Sequence, residues 1–525
     1  MISGAERETT PLAGGSYFNR MNSVNLPGKK ILPVWLLCLS FWFAGAGWSQ
    51  SGVDLLGSPI PGITAIGHHA IGINPSLLAT DRPFSDRTWK NRAALDSLNR
   101  KARRAMRKSE RLRFMSGFEG GISIHTPLLD GTRLVDMFGK ETQWNLAERR
   151  AAAEQLAIHP TDLQLDLRWV GWSRHGSKGG WAWSIEDRYN ASLNPSQSLA
   201  EFAMLGPASS LFDEVLLSDG SVVPVDSLTD EQFAMAEEGI RNSGVPLVLD
   251  LFDGGSFAIQ HVRSYGAGFG LNIIKTRTLG LAFGLGAKYY RGTGYYEVDV
   301  DNQVAFAAFN KGFGTDLVAD NATLGSLLRP AGFGVALDIS VRAEIAGIWF
   351  ASLAVNELGS MDWSGESYSL QNPVADLSGW SDNQGGVFDL LNQGLAPTSL
   401  FLTATPERRV VSLPTRVRLN GGMRLGNRGT LGVEFAAPVN DALLRQPTEM
   451  GVGGRMKLAG FHIMGGWRWQ KDRGIRSPLA IIWAPEKRMG QWGLATGDLL
   501  GFLSPERRWS WGWSYTRTMG RARSL

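Results

Sequence analysis

The sequence predicts an all-β fold: a transmembrane outer-membrane β-barrel of about 14 antiparallel strands carrying helical insertions. Three observations lead there. Apolar and small or polar residues alternate with a period of two through a long series of short segments. The 525 residues are 43% hydrophobic but only 19% charged, with 64 Gly and 19 Trp. Mean hydropathy is −0.11, and beyond residue 50 nothing approaches the roughly 18 consecutive apolar residues of a spanning helix. A helical membrane bundle, a collagen-like repeat and a disordered chain are thereby excluded.

In chain order, Lys29 and Lys30 precede the apolar run 31–43 and the small residues Ala44-Gly45-Ala46-Gly47. A basic flank, a short apolar core and an A-x-A site are the parts of a secretory signal peptide, predicted over 1–49, with Met21 as an alternative start. Cys38 is the only cysteine and lies inside that run, so the exported chain has neither disulfide nor thiolate metal ligand. Residues 86–113 read as a basic helix, with eleven basic and three acidic residues for a net charge of +8. It is either a solvated helix packed through Ala93, Leu95, Leu98 and Met106, the preferred reading, or a contact for anionic headgroups or a periplasmic partner. Nucleic acid is not a partner for an exported chain.

Strands are expected near 117–126, 162–173, 180–192, 256–273, 278–298, 333–343, 347–356, 415–425, 429–437, 449–458, 460–470, 478–485, 489–497 and 507–517. Leu163, Leu165, Leu167 and Trp169 share one face against Gln164, Asp166 and Arg168, and Trp509, Trp511, Trp513 and Tyr515 alternate with Ser510, Gly512, Ser514 and Thr516. With Trp181, Trp183, Trp467 and Trp469 these aromatics suit a lipid interface, where amphipathic rings settle. A soluble β-sandwich also alternates, but it would have to cover that aromatic face. Insertions are expected at 194–253, with a helix capped by Ser227, and at 357–413.

Chemistry is sparse. No His pair has the i, i+4 spacing of a zinc helix; His68-His69 reads either as a ligand pair or, the preferred reading, as a surface turn, and no Ser can be matched to a strand His as an esterase would need. No enzyme, metal or cofactor is expected. Gly266-Ala267-Gly268-Phe269-Gly270 lies in a strand, so its glycines are expected to face the lumen and let side chains or a plug approach. Arg416, Arg418 and Asn420 point inward, and with Arg424, Arg455, Lys457 and Arg468 they form a candidate cationic lumen face. Neutralisation by a plug or by carboxylates such as Glu434 is the preferred alternative.

The segment 67–78, Gly-His-His-Ala-Ile-Gly-Ile-Asn-Pro-Ser-Leu-Leu, resembles the start of the long-chain fatty-acid transporter-like barrels, which carry Asn-Pro-Ala in an N-terminal hatch. Here Asn74-Pro75 is followed by Ser76 instead of Ala. The resemblance implies a 14-stranded barrel plugged by residues within 50–116, the barrel itself running over 117–518. The same group includes barrel shuttle proteins of the type IX secretion system. With the stretch 412–422 opening a strand after a long loop, the chain is also similar to an uncharacterised family of Bacteroidota outer-membrane proteins.

The expectation is an exported Gram-negative outer-membrane barrel for passive uptake of a small apolar or amphipathic solute, porin-like in the broad sense. The alternative is a non-transporting barrel that displays loops to a surface or periplasmic protein, a secretion accessory included. Outer-membrane lipid and the barrel-insertion machinery are the other expected partners; the insertion signal is expected within 507–517, since the chain ends Arg521-Ala522-Arg523-Ser524-Leu525.

Overall fold

The computed structural model describes residues 56–79, 113–116, 119–125, 145–158, 161–175, 178–244, 248–276, 278–299, 304–309, 330–370, 401–426, 429–440, 447–458, 460–471, 474–483, 490–500 and 509–519. The predicted leader and residues 86–112 of the predicted basic helix lie outside them.

The alternating segments pair into fourteen barrel strands. They are β1 (Arg113–Ser116 and Glu119–His125), β2 (Thr161–His175), β3 (Gly179–Asn194), β4 (Ser256–Lys275), β5 (Leu279–Asp299), β6 (Val304–Phe309 and Gly332–Ile345) and β7 (Trp349–Leu370). The second half comprises β8 (Phe401–Ser412 and Arg416–Leu425), β9 (Gly429–Pro438), β10 (Glu449–Leu458), β11 (Phe461–Gln470), β12 (Gly474–Arg476 and Leu479–Trp483), β13 (Gly490–Thr496) and β14 (Trp509–Met519). Each pairs antiparallel with its sequence neighbour, and β14 closes on β1 through Gly120↔Trp513 and Ile122↔Trp511. Closure leaves no unpaired edge, the condition for backbone to survive in lipid.

Composite strands arise where the chain leaves a ladder and rejoins it. The upper part of β5 pairs with Val304–Phe309 and its lower part with Gly332–Ile345. In β8 the break falls at Leu413-Pro414, where Pro414 has no N–H to donate. The excursion between β7 and β8 is therefore 371–400, shorter than the predicted 357–413, because both strands run well beyond the strictly alternating text.

Six of the connections gather at one end of the barrel. β2–β3, β4–β5, β6–β7, β8–β9, β10–β11 and β12–β13 join through at most six residues, and this short-turn end also receives the chain at β1 and releases it after β14. The β6–β7 turn uses Ala346 and Gly347, both at positive φ (52° and 68°), the geometry that matches strand twist. Long excursions all leave from the opposite end.

The two faces are chemically distinct. On β6 the outward Phe333, Val335, Leu337, Ile339 and Val341 are 39–62% exposed, while the inward Ala336, Asp338, Ser340 and Arg342 are at most 4% exposed. A contiguous apolar outer surface of this kind is a lipid-facing band. Trp181, Trp349, Trp483 and Trp492 stand near the short-turn ends of their strands, and Trp467 and Trp469 near the other end of β11. In β2 a register shift between Arg168 and Val170 turns Gly171, Ser173 and His175 inward, so the predicted odd–even rule holds only above it.

Long-loop excursions build a small cap with its own core. Helix α1 (Leu146–Ile158) packs on α2 (Gln197–Leu205), and Glu214–Leu217 pairs with both Val222–Pro224 and Ala236–Ile240. Leu146, Phe202, Phe212, Val215, Leu217 and Leu251 are among its buried residues. Ser196 caps α2 by accepting from the Leu199 N–H at 2.9 Å. The predicted Ser227 cap is corrected: Thr229 forms a capping box with Gln232 over Asp230–Ala234, while Ser227 donates to the Pro224 carbonyl at 3.0 Å.

Candidate functional site

The segment 56–79 does not join the sheet; it lies across the barrel interior, buried except for half-buried Leu56, Ile66 and Gly72. Its shape follows from local rules. Pro61 opens the short helix Pro61–Thr64, where a missing N–H costs nothing. Ser58 and Thr64 join hydroxyls at 2.7 Å across that turn. Gly72 sits at φ 76°, where a side chain is strained and where a Cβ would strike the Lys288 ammonium. Pro75 fixes its own φ, restricts Asn74 and starts the turn Pro75–Ala79.

Asn74 is the knot of this hatch. Its Nδ2 donates to the Gly62 carbonyl at 2.9 Å and to Ser352 Oγ of β7 at 3.1 Å, and its Oδ1 accepts from the Ser76 hydroxyl. The residue that departs from the Asn-Pro-Ala pattern therefore does a job an alanine cannot: it satisfies the buried amide oxygen. The Ser76 N–H donates to Ser340 Oγ of β6 at 2.7 Å.

Further contacts run round the wall. The Gly62 N–H donates to Glu434 Oε2 at 2.7 Å, the Gly72 N–H to Asp338 Oδ2 at 3.0 Å, and Arg468 donates to the Ser58 carbonyl. At the exit, His175 and Asn272 donate to the carbonyls of Leu78 and Ala79 at 3.1 and 2.7 Å. Wall glycines supply the fit. Ile71 lies on Gly266 and Gly268, the turn 75–79 on Gly270 and Gly284, and Pro59 on Gly451 and Gly453. The glycine-alternating strand thus meets the plug, and a Cβ at Gly284 or Gly451 would collide with hatch backbone.

His68 and His69 are not at a surface turn; both are buried, and this corrects the sequence reading. His68 Nε2 donates to Glu119 Oε1 of β1 at 3.3 Å, and Arg168 of β2 donates to Glu119 Oε2 at 3.0 Å and to His69 Nδ1 at 2.7 Å. Because a guanidinium only donates, His69 must present a lone pair at Nδ1 and is neutral. Burial pushes both imidazoles below their ordinary range; Glu119 opposes this at His68, while His68 and Arg168 add to it at His69. The two histidines and Glu119 place one ligand atom each within 4.8 Å of one another. Arg168 already supplies the positive charge there and holds His69 in the tautomer that turns a proton, not a lone pair, toward the cluster. The arrangement is a latch in which the two hatch imidazoles hydrogen-bond to an Arg168–Glu119 ion pair of the wall.

The predicted cations divide. Arg416 pairs with Glu449 at 3.0 Å, Arg418 with Glu434 at 2.5 Å, and Arg468 approaches Glu449 at 3.9 Å, which draws these three into one cluster. Arg424 pairs instead with Glu344 of β6 at 2.8 Å, near the short-turn end. Arg455 is buried and Lys457 half-buried on the inner face of β10. Glu434 carries the neutralising role weighed from sequence, and it holds the hatch as well. Trp169, Trp181, Trp183, Trp467 and Trp469 face outward, and Trp513 and Tyr515 are half-buried; the side chains of Trp509 and Trp511 lie outside what is described.

Sequence reasoning missed Glu119, Arg168, Asp338, Ser340 and Ser352 as hatch partners, although strand parity alone places the last three inward. It also missed the cluster above the hatch, where Glu357 accepts from Lys288 at 2.8 Å and from Tyr290 at 2.9 Å. Glu357 occupies a bulge at φ 54° and donates its N–H to Asp338 Oδ1 at 2.9 Å, so Asp338 bonds the hatch with one oxygen and this cluster with the other. Farther toward the long loops an aromatic cluster packs on the inner wall: Tyr295 stacks on Trp363 at 5.1 Å and meets Phe306 at 5.8 Å, with Met361 and Val262 alongside, while Arg409 lies over Phe306 at 4.4 Å and pairs with Glu297 at 2.6 Å.

No family model matches the chain, and no curated protein matches it. Among solved structures it is similar to the Pseudomonas putida toluene transporter TodX, at 8% identity over 87% of this chain and 95% of that one, with a TM-score of 0.36. The Ralstonia pickettii toluene transporter TbuX matches at 9% identity over 87% and 98% of the two chains, TM-score 0.34. A Pseudomonas aeruginosa FadL homologue matches at 9% identity over 90% and 99%, TM-score 0.32. Likeness at this level transfers no property to the chain, and the barrel rests on its own ladder of strand pairs.

Proposed function

We propose that the protein is a passive outer-membrane conduit for a small apolar or amphipathic solute, with segment 56–79 as the element that moves. One observation carries the reading: this segment fills the lumen yet shares no strand ladder with the wall, being held by side-chain handles and glycine contacts. An element docked in that way is separable from the barrel without breaking the sheet. The aromatic cluster of the inner wall around Tyr295, Phe306 and Trp363 suits a poorly solvated cargo. Short turns of such barrels face the periplasm, which puts the hatch entrance there and the cap outside. Export by the leader at 1–49, kinship with the Bacteroidota family and the absence of catalysis belong to the same proposal.

The second reading, a barrel that displays its loops to a partner, draws on the cap. Residues 195–255 hold eleven acidic residues against Arg241 alone and fold around their own core. Swelling of liposomes containing the purified barrel separates the two. Deleting 56–79 should raise solute influx strongly while the protein keeps its heat-modifiable gel mobility. An intact barrel whose influx is unchanged by the deletion would leave only the display reading.

A further inference from the structure

On β4 to β6 the outer wall is apolar from the short turns up to a row of charge. In that row Asp187 of β3 is paired in register with Arg263 of β4, and Arg263 with Arg291 of β5, on the outward face that Phe333 of β6 continues. One outward position nearer the short turns, Tyr265 and Tyr289 oppose each other, 38% and 46% exposed, with ring centroids 6.2 Å apart. Below them lie exposed Phe269 and Leu271 of β4 and Leu337, Ile339 and Val341 of β6.

The height of the row follows from the strands. Arg263 and Arg291 each stand twelve residues from the tight turn between β4, which ends at Lys275, and β5, which begins at Leu279. A strand that rises about 3.3 Å per residue at a tilt of roughly 40° carries them about 30 Å from that turn, past an apolar band about 25 Å tall. Tyr265 and Tyr289 thus form the aromatic girdle at the far edge of the band, as Trp181 and Trp349 do at the short-turn edge. The two arginines sit at the level of lipid head groups.

Their chemistry fits a phosphate. Asp187 accepts from Arg263 Nε at 2.6 Å, from its Nη2 at 2.8 Å and from Trp169 Nε1 at 2.6 Å, and is itself buried. That bidentate pair fixes the guanidinium plane and leaves Nη1 outside it, while the Arg263 side chain stays 42% exposed. Two guanidinium groups directly opposite on one ladder repel each other, and a dianion between them removes that cost. On the long-loop side Tyr189 stacks on His261 at 3.8 Å, and Trp169 lies 6.0 Å from the Arg263 guanidinium. Cations bordered by flat rings suit a phosphorylated sugar better than a glycerol phosphate.

We propose that Arg263 and Arg291 bind a phosphate of the phosphorylated glycolipid that forms the outer leaflet of a Gram-negative outer membrane, with its acyl chains along the face of Phe269 and Leu271. Asp187 is the positioning residue that holds Arg263 for it. The inference rests on the orientation given above, short turns toward the periplasm, and is independent of uptake.

Native mass spectrometry of the full barrel released from nonionic detergent tests it, with equimolar bisphosphorylated glycolipid, its dephosphorylated form and phosphatidylglycerol as probes. The wild type should retain the bisphosphorylated glycolipid at least tenfold over the other two. R263Q and R291Q should each cut that retention at least fivefold with heat-modifiable mobility intact, whereas K275Q, which removes a lysine at the short-turn end, should change it less than twofold. R263Q also strands buried Asp187, so R291Q decides the matter if R263Q does not fold. Retention unchanged in R291Q, an equal loss in K275Q, or equal retention of the dephosphorylated lipid overturns the phosphate site. A preference for phosphatidylglycerol that R291Q abolishes overturns the glycolipid and the orientation together.

Discussion

Replacing Asn74 by Ala should undock the hatch without unfolding the barrel. The substitution removes three hydrogen bonds and leaves the Gly62 carbonyl, Ser352 Oγ and Ser76 Oγ to find other partners in a buried site. Each lost bond is worth about 0.5–1.5 kcal/mol net, and a stranded buried group costs about 1–3 kcal/mol, partly relieved by reorientation of the two hydroxyls. A total of about 2–4 kcal/mol weakens docking by roughly 30- to 900-fold. Cys38, the only cysteine, lies in the predicted leader, so the exported barrel is itself a thiol-free background. In that background A65C places one reporter on a buried hatch residue, and its maleimide labelling rate reads the opening equilibrium. N74A should raise that rate by one to three orders of magnitude, and S76A, which removes a single bond, by less than tenfold. A rate within threefold of the parent, in a barrel that still shifts on boiling, would refute the assignment of Asn74 as the knot.

Other expectations follow from the same contacts. R168M strands Glu119 in a buried site and should cost about 3–5 kcal/mol of docking or barrel stability, with part recovered in R168M/E119Q; labelling and thermal melts would show it. His68 and His69 are held below their ordinary value of about 6.5, so the undocked hatch binds protons more readily than the docked one. Docking should therefore be strongest above that pH and weaken as pH falls below it, and H68Q/H69Q should flatten the labelling-versus-pH curve. G284A places a Cβ against the Ser76 backbone and should raise labelling while leaving strand content by circular dichroism unchanged. V335R puts a charge on the lipid face and should cost roughly 2–4 kcal/mol of folding in bilayers, whereas a surface-loop arginine should cost nearly nothing.

The architecture was legible because lipid outside and a filled lumen inside impose period-two text on every strand. Fourteen segments marked from alternation alone correspond to the fourteen strands of the closed sheet. What was misread has local causes. Beyond Asn356 the adjacent Glu357 sits in a bulge, so strict alternation stops although the strand continues to Leu370. Leu413-Pro414 imitates a strand start and hid the first half of β8. The glycine-alternating text of β4 announced a close neighbour, side chains or a plug, and the structure puts residues 71 and 75–79 there. His68 and His69 were not legible as a latch. Their partners Glu119 and Arg168 lie 51 and 99 residues downstream, and no local spacing links them.

Under the proposed uptake, the division of labour inside the lumen would let one chain both seal and release. Strand-to-strand hydrogen bonds form a continuous ladder that must break as a whole, whereas the hatch is fixed by separate polar handles: Asn74 to β7, Gly62 to Glu434, Gly72 to Asp338 and His69 to Arg168. Each handle is worth on the order of 1 kcal/mol, so their sum lies within reach of a solute's binding energy, while the ladder does not. Glycine tracks make the fit tight without adding deeply interlocked side chains that would have to be withdrawn. Asp338 then matters beyond its single bond. It accepts from the hatch at Gly72 and from the strained Glu357 backbone, so loss of the hatch bond is felt at the Lys288–Glu357 cluster on the far side. The aromatic cluster of the inner wall lies beyond those residues, so on the proposed reading a solute leaving it would meet a polar layer tied to the seated hatch through Asp338.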